Sequence, residues 1–202
     1  MFAGLITIPL GYLLGSIPSA VIVARLIGKV NLCNEGDGHI SATAAYRRAG
    51  LAAFIIAICM DVGKAMLSVF LAGLITQSQW IILAAGLATV VGHCWSIFIK
   101  FRGGLGATVI CGVLAGMAIW DFLISAVIVL IFFLITRKST VGTILIIVVM
   151  SIILFINKAD LLTVFYPYSL LMVQFLKRFQ IRKATPVSDY TNEICKDLKR
   201  TK

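Results

Sequence analysis

The chain has 202 residues, 60% of them hydrophobic and 13% charged, with a formal net charge of +10 and a mean hydropathy of +1.04. Soluble domains carry about one quarter charged residues, and a water-soluble chain of this length has too little interior for so much apolar surface. A soluble globular fold is therefore excluded, and an all-α polytopic membrane protein is expected. The positive residues punctuate apolar runs, which fits the positive-inside rule and anionic headgroups of membrane lipids and argues against nucleic acid as a partner.

A spanning helix needs about 20 apolar residues. The first apolar run covers residues 2–27. Its start, MFAGLITIPLGYLL, has no basic leader and no cleavage site, so it reads as a retained span. Gly15-Ser16-Ile17-Pro18-Ser19 interrupts the run, and the proline is expected to kink it. A polar stretch over residues 28–48 is read as a loop. Within it Gly36 and Gly38 can take positive φ, so that successive N–H groups converge on an anion. Ser41 and Thr43 add hydroxyl donors, and Arg47 adds a bidentate phosphate ligand. The plainer reading of the same residues is a solvated connection.

The second run, 51–75, contains Asp61 and Lys64, which at i and i+3 share one helix face. Each charge would cost about 2.5–3.5 kcal/mol at a helix centre. Two readings stand: a self-neutralising structural pair near the interface, or a functional pair facing the bundle interior. The third run, 80–99, passes through Gly92-His93 and leads into Lys100-Phe101-Arg102-Gly103-Gly104-Leu105-Gly106. Glycines after two basic residues and before a helix fit a phosphate cradle at a helix N-terminus, with a tight re-entrant turn as the alternative. His93 could titrate or donate, or could be a hydrogen-bonded histidine at a helix end.

The fourth run, 107–120, is short enough for a half-length or tilted helix, and the fifth and sixth cover 122–136 and 141–156. Between them Arg137-Lys138-Ser139-Thr140 can cap the sixth helix or, through Thr140, add an anion donor. The seventh run covers 161–176, giving a transmembrane domain over 1–176 and a basic tail over 177–202. Trp80, Trp95 and Trp120 fall near run ends and read as interface anchors. The five cysteines show no metal-ligand spacing, so neither a metal nor another cofactor is expected.

Seven spans put the termini on opposite sides. One set of loops carries Lys29, Arg47, Arg48, Lys100, Arg102, Arg137, Lys138 and the tail, while the other has Lys158 balanced by Asp160, plus Asp121. The positive-inside rule then predicts an external N-terminus, a cytoplasmic C-terminus, and all the anion-binding motifs on the cytoplasmic face. Several such motifs on one membrane face imply a phosphorylated, lipidic ligand.

The ordered set Gly15-Ser16-Ile17-Pro18-Ser19, the glycine loop ending in Arg47, Asp61-x-x-Lys64, Gly92-His93 and Arg102-Gly103-Gly104-Leu105-Gly106 resembles the bacterial acyl-phosphate-dependent glycerol-3-phosphate acyltransferases. The resemblance covers about residues 5–145 and includes seven spans. It implies transfer of a fatty acyl group from acyl phosphate to glycerol 3-phosphate, giving lysophosphatidic acid, by a multi-pass protein of the bacterial inner membrane. It further implies that Arg47 and Arg102 hold phosphates and that Lys100, Ser41, Thr140 and the glycines 36, 38, 103, 104 and 106 join them. Thr43 would orient the acceptor, His93 would donate or support, and Asp61 and Lys64 would stiffen the site. Leu105 stands where the resemblance places lysine, Asp37 where it places a small donor, and residues 165–171 contain no counterpart of the family's His-Arg-x-Asn segment. These departures motivate an alternative, a paralogue that binds acyl phosphate or anionic lipid without turnover, and the intramembrane pair motivates a further one, a small transporter.

Overall fold

The computed structural model describes residues 2–29, 41–101, 103–136 and 139–183, with the side chains of 2–3, 131–136, 139–140 and 182–183 left aside. Its elements are α1 (Phe2–Leu5), α2 (Thr7–Ser16), α3 (Ser19–Leu26), α4 (Ala42–Ile75), α5 (Gln79–Cys94), a 3-10 turn (Ile97–Ile99), α6 (Ala107–Met117), α7 (Ile119–Thr136), α8 (Ser139–Ile156) and α9 (Leu161–Lys183). Among the described residues every regular element is helical, and α1–α3 together make the first of seven rods. Thr7–Leu26, Ala42–Ile75 and Gln79–Ile99 are each long and apolar enough to cross a bilayer. The all-α membrane bundle expected from composition is the fold observed.

The break between α2 and α3 falls at Ile17-Pro18. Proline has no N–H and pushes the residue before it out of the helical region, and Ile17 accordingly sits at φ −59°, ψ 118°.

Residues 42–48, expected in the first polar loop, are instead helical: α4 begins at Ala42. Ser41 caps it, its Oγ accepting from the Ala44 N–H at 3.2 Å. Thr43 and Arg47 therefore stand on the first turns of a helix. The physical reason is packing that a hydropathy run does not register. Ala45, Ala53 and Ala57 recur at helical spacing and bury completely against Val23, while Ala44 packs on Ala20 and Ala24 of α3. Gly50, at φ 81°, then kinks α4 and separates this first segment from the long apolar part that carries Asp61 and Lys64.

Close backbone approach organises the rest. A Cβ at Gly11 or Gly15 of α2 would run into the α5 backbone at Ala85 and Thr89, and one at Gly92 of α5 would run into Tyr12. In lipid there is no hydrophobic drive between helices, so contact of this kind supplies the packing energy. The apolar centre lies among α4, α5, α6, α8 and α9, with Ile110, Leu114, Ile147, Met150 and Leu170 fully buried. Tyr166 of α9 fastens there by donating to the Leu83 carbonyl at 2.8 Å.

With 11 residues, α6 is about 16 Å long, roughly half of a bilayer core, as its short apolar run predicts. It stops at Met117 because Ala118 leaves the helical region (φ −149°, ψ 83°), so Trp120 belongs to α7. Trp80 and Trp120 are 69% and 76% exposed, in keeping with interface anchors, whereas Trp95 is engaged inside the fold.

Candidate active site

The buried face of α4 brings Asp61 and Lys64 to the point where three chain breaks meet: the α2–α3 interruption, the end of α5 and the start of α6. Lys64 Nζ lies 2.9 Å from Asp61 Oδ1 as an ion pair. It donates to the Ile17 carbonyl at 2.7 Å and to Ser19 Oγ at 3.4 Å, and stands 3.2 Å from His93 Nδ1. The Pro18 interruption makes this possible. In a continuous helix Ile17 would accept from the Val21 N–H, which here donates to Pro18 at 3.1 Å, so the Ile17 carbonyl is turned toward the lysine. A neutral His93 ring protonated on Nε2 lets Nδ1 accept from Lys64. The same Nδ1 is 3.5 Å from Asp61 Oδ1, and Asp61 Oδ2 accepts from Thr108 Oγ1 of α6 at 2.9 Å.

One carboxylate thus ties together α4, α5 and α6, while its lysine ties in α2 and α3. Asp61 and Lys64 are 3% and 7% exposed, so the pair is held in the interior of the bundle and does not reach water at the interface.

The segment from Trp95 to Gly106 is built as a backbone cradle beside this cluster. Tyr12 Oη donates to the Trp95 carbonyl at 2.8 Å and Ser96 Oγ to the Ser16 carbonyl at 2.5 Å, which fixes the segment to the end of α2. The Phe101 N–H closes back on the Ser96 carbonyl at 2.7 Å, and the Gly103 N–H donates to the Cys94 carbonyl at 3.1 Å. A side chain at 103 would collide with the His93 carbonyl, so glycine is required there. Gly106, at φ 78°, opens α6, and among the described residues no side chain caps that helix. The first N–H groups of α6 are left to meet an anion, with the positive end of the helix dipole behind them.

Of the residues singled out in the sequence, His93, Asp61, Lys64, Gly103, Gly104 and Gly106 come together here. Lys100 (φ 51°) is exposed at the rim beside Phe101. Ser41, Thr43 and Arg47 stand at the head of α4, beyond the Gly50 kink, with Thr43 and Arg47 exposed. Thr140 lies in the first turn of α8, and its side chain is not among those described; Gly36, Gly38 and Arg102 lie outside the described residues.

The structure adds residues that spacing did not reveal. Ser19, Thr108 and the Ile17 carbonyl complete the charged cluster. From α9, Lys177 places its ammonium 5.2 Å from the centre of the Trp95 ring, and Gln180 Oε1 accepts from Trp95 Nε1 at 2.8 Å. The expectation that the C-terminal segment is missing rests on residues 165–171, but Tyr166 and Leu170 belong to the core. Among the described residues of α9, Lys177 and Gln180, three positions apart on one helix face, are the ones that reach Trp95. That spacing was the available signal. It was hidden because α9 continues to Lys183, past the end of the apolar run.

Comparison with known proteins identifies the family and the fold. Residues 5–184 match the family described as glycerol-3-phosphate acyltransferase. A glycerol-3-phosphate acyltransferase of Endomicrobium trichonymphae is 36% identical over 144 residues, 71% of this chain and 72% of that protein. One from Thermus thermophilus is 35% identical over 147 residues, 71% of each. Among solved structures, the crystal structure of PlsY, an integral membrane glycerol 3-phosphate acyltransferase, in its glycerol 3-phosphate form superposes with a TM-score of 0.77 at 26% identity, covering 89% of this chain and 90% of that one. Its lysophosphatidic acid form superposes equally, with a TM-score of 0.77 at 25% identity.

Proposed function

Since the chain belongs to the glycerol-3-phosphate acyltransferase family, we propose that it is an integral membrane enzyme that moves a fatty acyl group from acyl phosphate to glycerol 3-phosphate. The observation that carries this reading is the buried Asp61–Lys64–His93 cluster set beside an uncapped helix N-terminus and its glycine cradle. Such an arrangement favours phosphate oxygens, which need N–H donors and positive charge more than they need a nucleophile.

In the reaction the acceptor hydroxyl attacks the acyl carbonyl carbon. The carbonyl bond to the phosphate oxygen breaks, phosphate leaves, and the hydroxyl proton passes to the departing phosphate. No acyl-enzyme is needed, and Cys94 beside the cradle is buried. Gly103, Gly104 and Gly106 supply N–H groups from one side, with Lys100 at the rim, and Arg102 is assigned to the phosphate from the family resemblance. Ser41, Thr43 and Arg47 act from the head of α4, and the family resemblance assigns Gly36, Gly38 and Thr140 to phosphate binding as well. His93, fixed through Nδ1, keeps Nε2–H as a donor toward the developing charge. Asp61 and Lys64 hold the three helices in register and belong to the support of the site. Glycerol 3-phosphate is water-soluble, so the reading places these elements on the cytoplasmic side of a bacterial inner membrane.

The test is formation of lysophosphatidic acid by the purified full-length protein given palmitoyl phosphate and glycerol 3-phosphate. Product is expected, and Arg102→Ala should lower the rate by about 10²–10³, as loss of a charge-stabilising donor does. Product no greater than in a detergent blank would refute the reading.

One observation favours a second reading. Leu105 is 38% exposed in the cradle, at the position where the family resemblance implies a lysine. A paralogue that binds acyl phosphate without turnover would show this change. Rescue of a strain depleted of its own acyltransferase excludes that reading; ligand binding without rescue selects it.

A further inference from the structure

The half-length helix α6 carries the uncapped N-terminus, and it lies against α4 along a seam of small residues. Positions 108, 112 and 116 recur at a spacing of four and share one helix face. A Cβ at Gly112 would meet the Val62 carbonyl oxygen at 2.6 Å and the Ala65 side chain at 2.8 Å, and one at Gly116 would meet the Met66 backbone at 3.2 Å. Close contact of this kind sets the separation of the two helices. It gives little direction, because glycine offers no side chain to key one helix into the other at a single rotation or depth.

The remaining position of this face supplies the direction. Thr108 sits in the first turn of α6, two residues after Gly106, and its amide is among those with no acceptor inside the helix. A threonine at such a place commonly turns its hydroxyl back to the local backbone. Here Oγ1 donates instead across the seam, to Asp61 Oδ2 at 2.9 Å. A hydrogen bond to an ionised acceptor is strong and directional. Asp61 is itself held on the buried face of α4 by Lys64 at 2.9 Å, so the bond ends on a fixed point. At its other end α6 passes through Ala118 straight into α7. The aim of the amides at 107–109 therefore depends on the contact that Thr108 makes.

We infer that Thr108 is a positioning residue for acyl transfer: its hydroxyl pins the N-terminus of α6 to the Asp61 carboxylate and so aims the amides of that terminus at the reacting phosphate. The inference rests on the proposed function for the reaction, and it couples the buried charged pair to the glycine cradle. Thr108 acts through the direction of the helix and keeps its hydroxyl proton throughout. Reacting groups tolerate little misplacement, and a shift of about 1 Å can cost about a hundredfold in rate.

The test is steady-state kinetics of the full-length protein in nanodiscs, with palmitoyl phosphate and glycerol 3-phosphate each varied, on material that is monodisperse by gel filtration. Thr108→Val keeps the shape and the branched Cβ but removes the hydroxyl. It should lower kcat by about tenfold to a hundredfold while KM for either substrate changes by less than about threefold. Thr108→Ser keeps the hydroxyl and should hold kcat within about threefold of wild type. Normal kcat in folded Thr108→Val would overturn the inference. So would a rise in KM at constant kcat, which marks uniform binding, or a kcat in Thr108→Ser as low as in Thr108→Val. Failure of Thr108→Val to fold would assign the hydroxyl to stability alone and equally overturn it. Wild-type protein without turnover would refute the proposed function and this inference with it, whereas every outcome above presupposes an active wild type and decides on Thr108 alone.

Discussion

Asp61 sits at the centre of the buried cluster: it pairs with Lys64 by charge and accepts a hydrogen bond from Thr108, with His93 Nδ1 3.5 Å away. Removing one member of a buried pair leaves the other charge desolvated and unanswered, at a cost of about 3–5 kcal/mol. Asp61→Asn should therefore lower the midpoint of thermal unfolding in detergent sharply, and Asp61→Asn/Lys64→Met should recover much of it while leaving acyl transfer impaired. Equal stability of wild type and Asp61→Asn would show that the pair is not buried as described. At this scale the sequence was partly readable. The i, i+3 spacing announced that Asp61 and Lys64 face each other, and the adjoining glycines announced a cradle. That His93 joins the pair from 29 positions away was not readable, nor that the Ile17 carbonyl does from 47 positions away. Such meetings depend on how helices pack and not on local spacing.

At the scale of elements, glycine decides which helices touch. Gly15 of α2 lies so close to the Thr89 backbone that a Cβ has no room, whereas Gly63 of α4 has no atom within 4 Å of its virtual Cβ. Gly15→Ala should destabilise the bundle by about 1–3 kcal/mol, the usual range for overpacking. Gly63→Ala should be neutral or stabilising by about 0.5–1 kcal/mol, since it removes only a helix-weakening residue. Thermal unfolding of the two variants side by side checks the pair; the reverse order would place α2 and α5 wrongly. Element types followed from the apolar runs, but two boundaries did not. The head of α4 escaped notice because its alanines and arginines make a weak hydropathy signal while burying well on α3. The end of α9 escaped because Lys177 and Arg178 read as tail, although the helix carries both on to Lys183.

For the whole molecule, the alternation of rods puts the start of α4, the end of α5, the start of α6 and the end of α9 on one side of the membrane. The basic loops lie on that same side. A green fluorescent protein fused to the C-terminus should therefore fluoresce, and alkaline phosphatase inserted at residues 76–78 should be active, as expected for a cytoplasmic tail and an external loop. The opposite pattern would put the cradle on the face away from glycerol 3-phosphate.

Composition and hydropathy were enough to establish a membrane bundle of about seven rods, because an apolar run must cross lipid whatever its neighbours are. Motif order was enough to point to the acyltransferase family, because the glycine, hydroxyl and basic residues of its motifs lie in short contiguous segments. The tertiary structure alone decided that Asp61, Lys64 and His93 form one cluster, and that Lys177 and Gln180 return to Trp95 from the far end of the chain. Both depend on breaks and close contacts between helices distant in sequence, set by a proline at 18 and by glycines too tightly placed to carry a side chain.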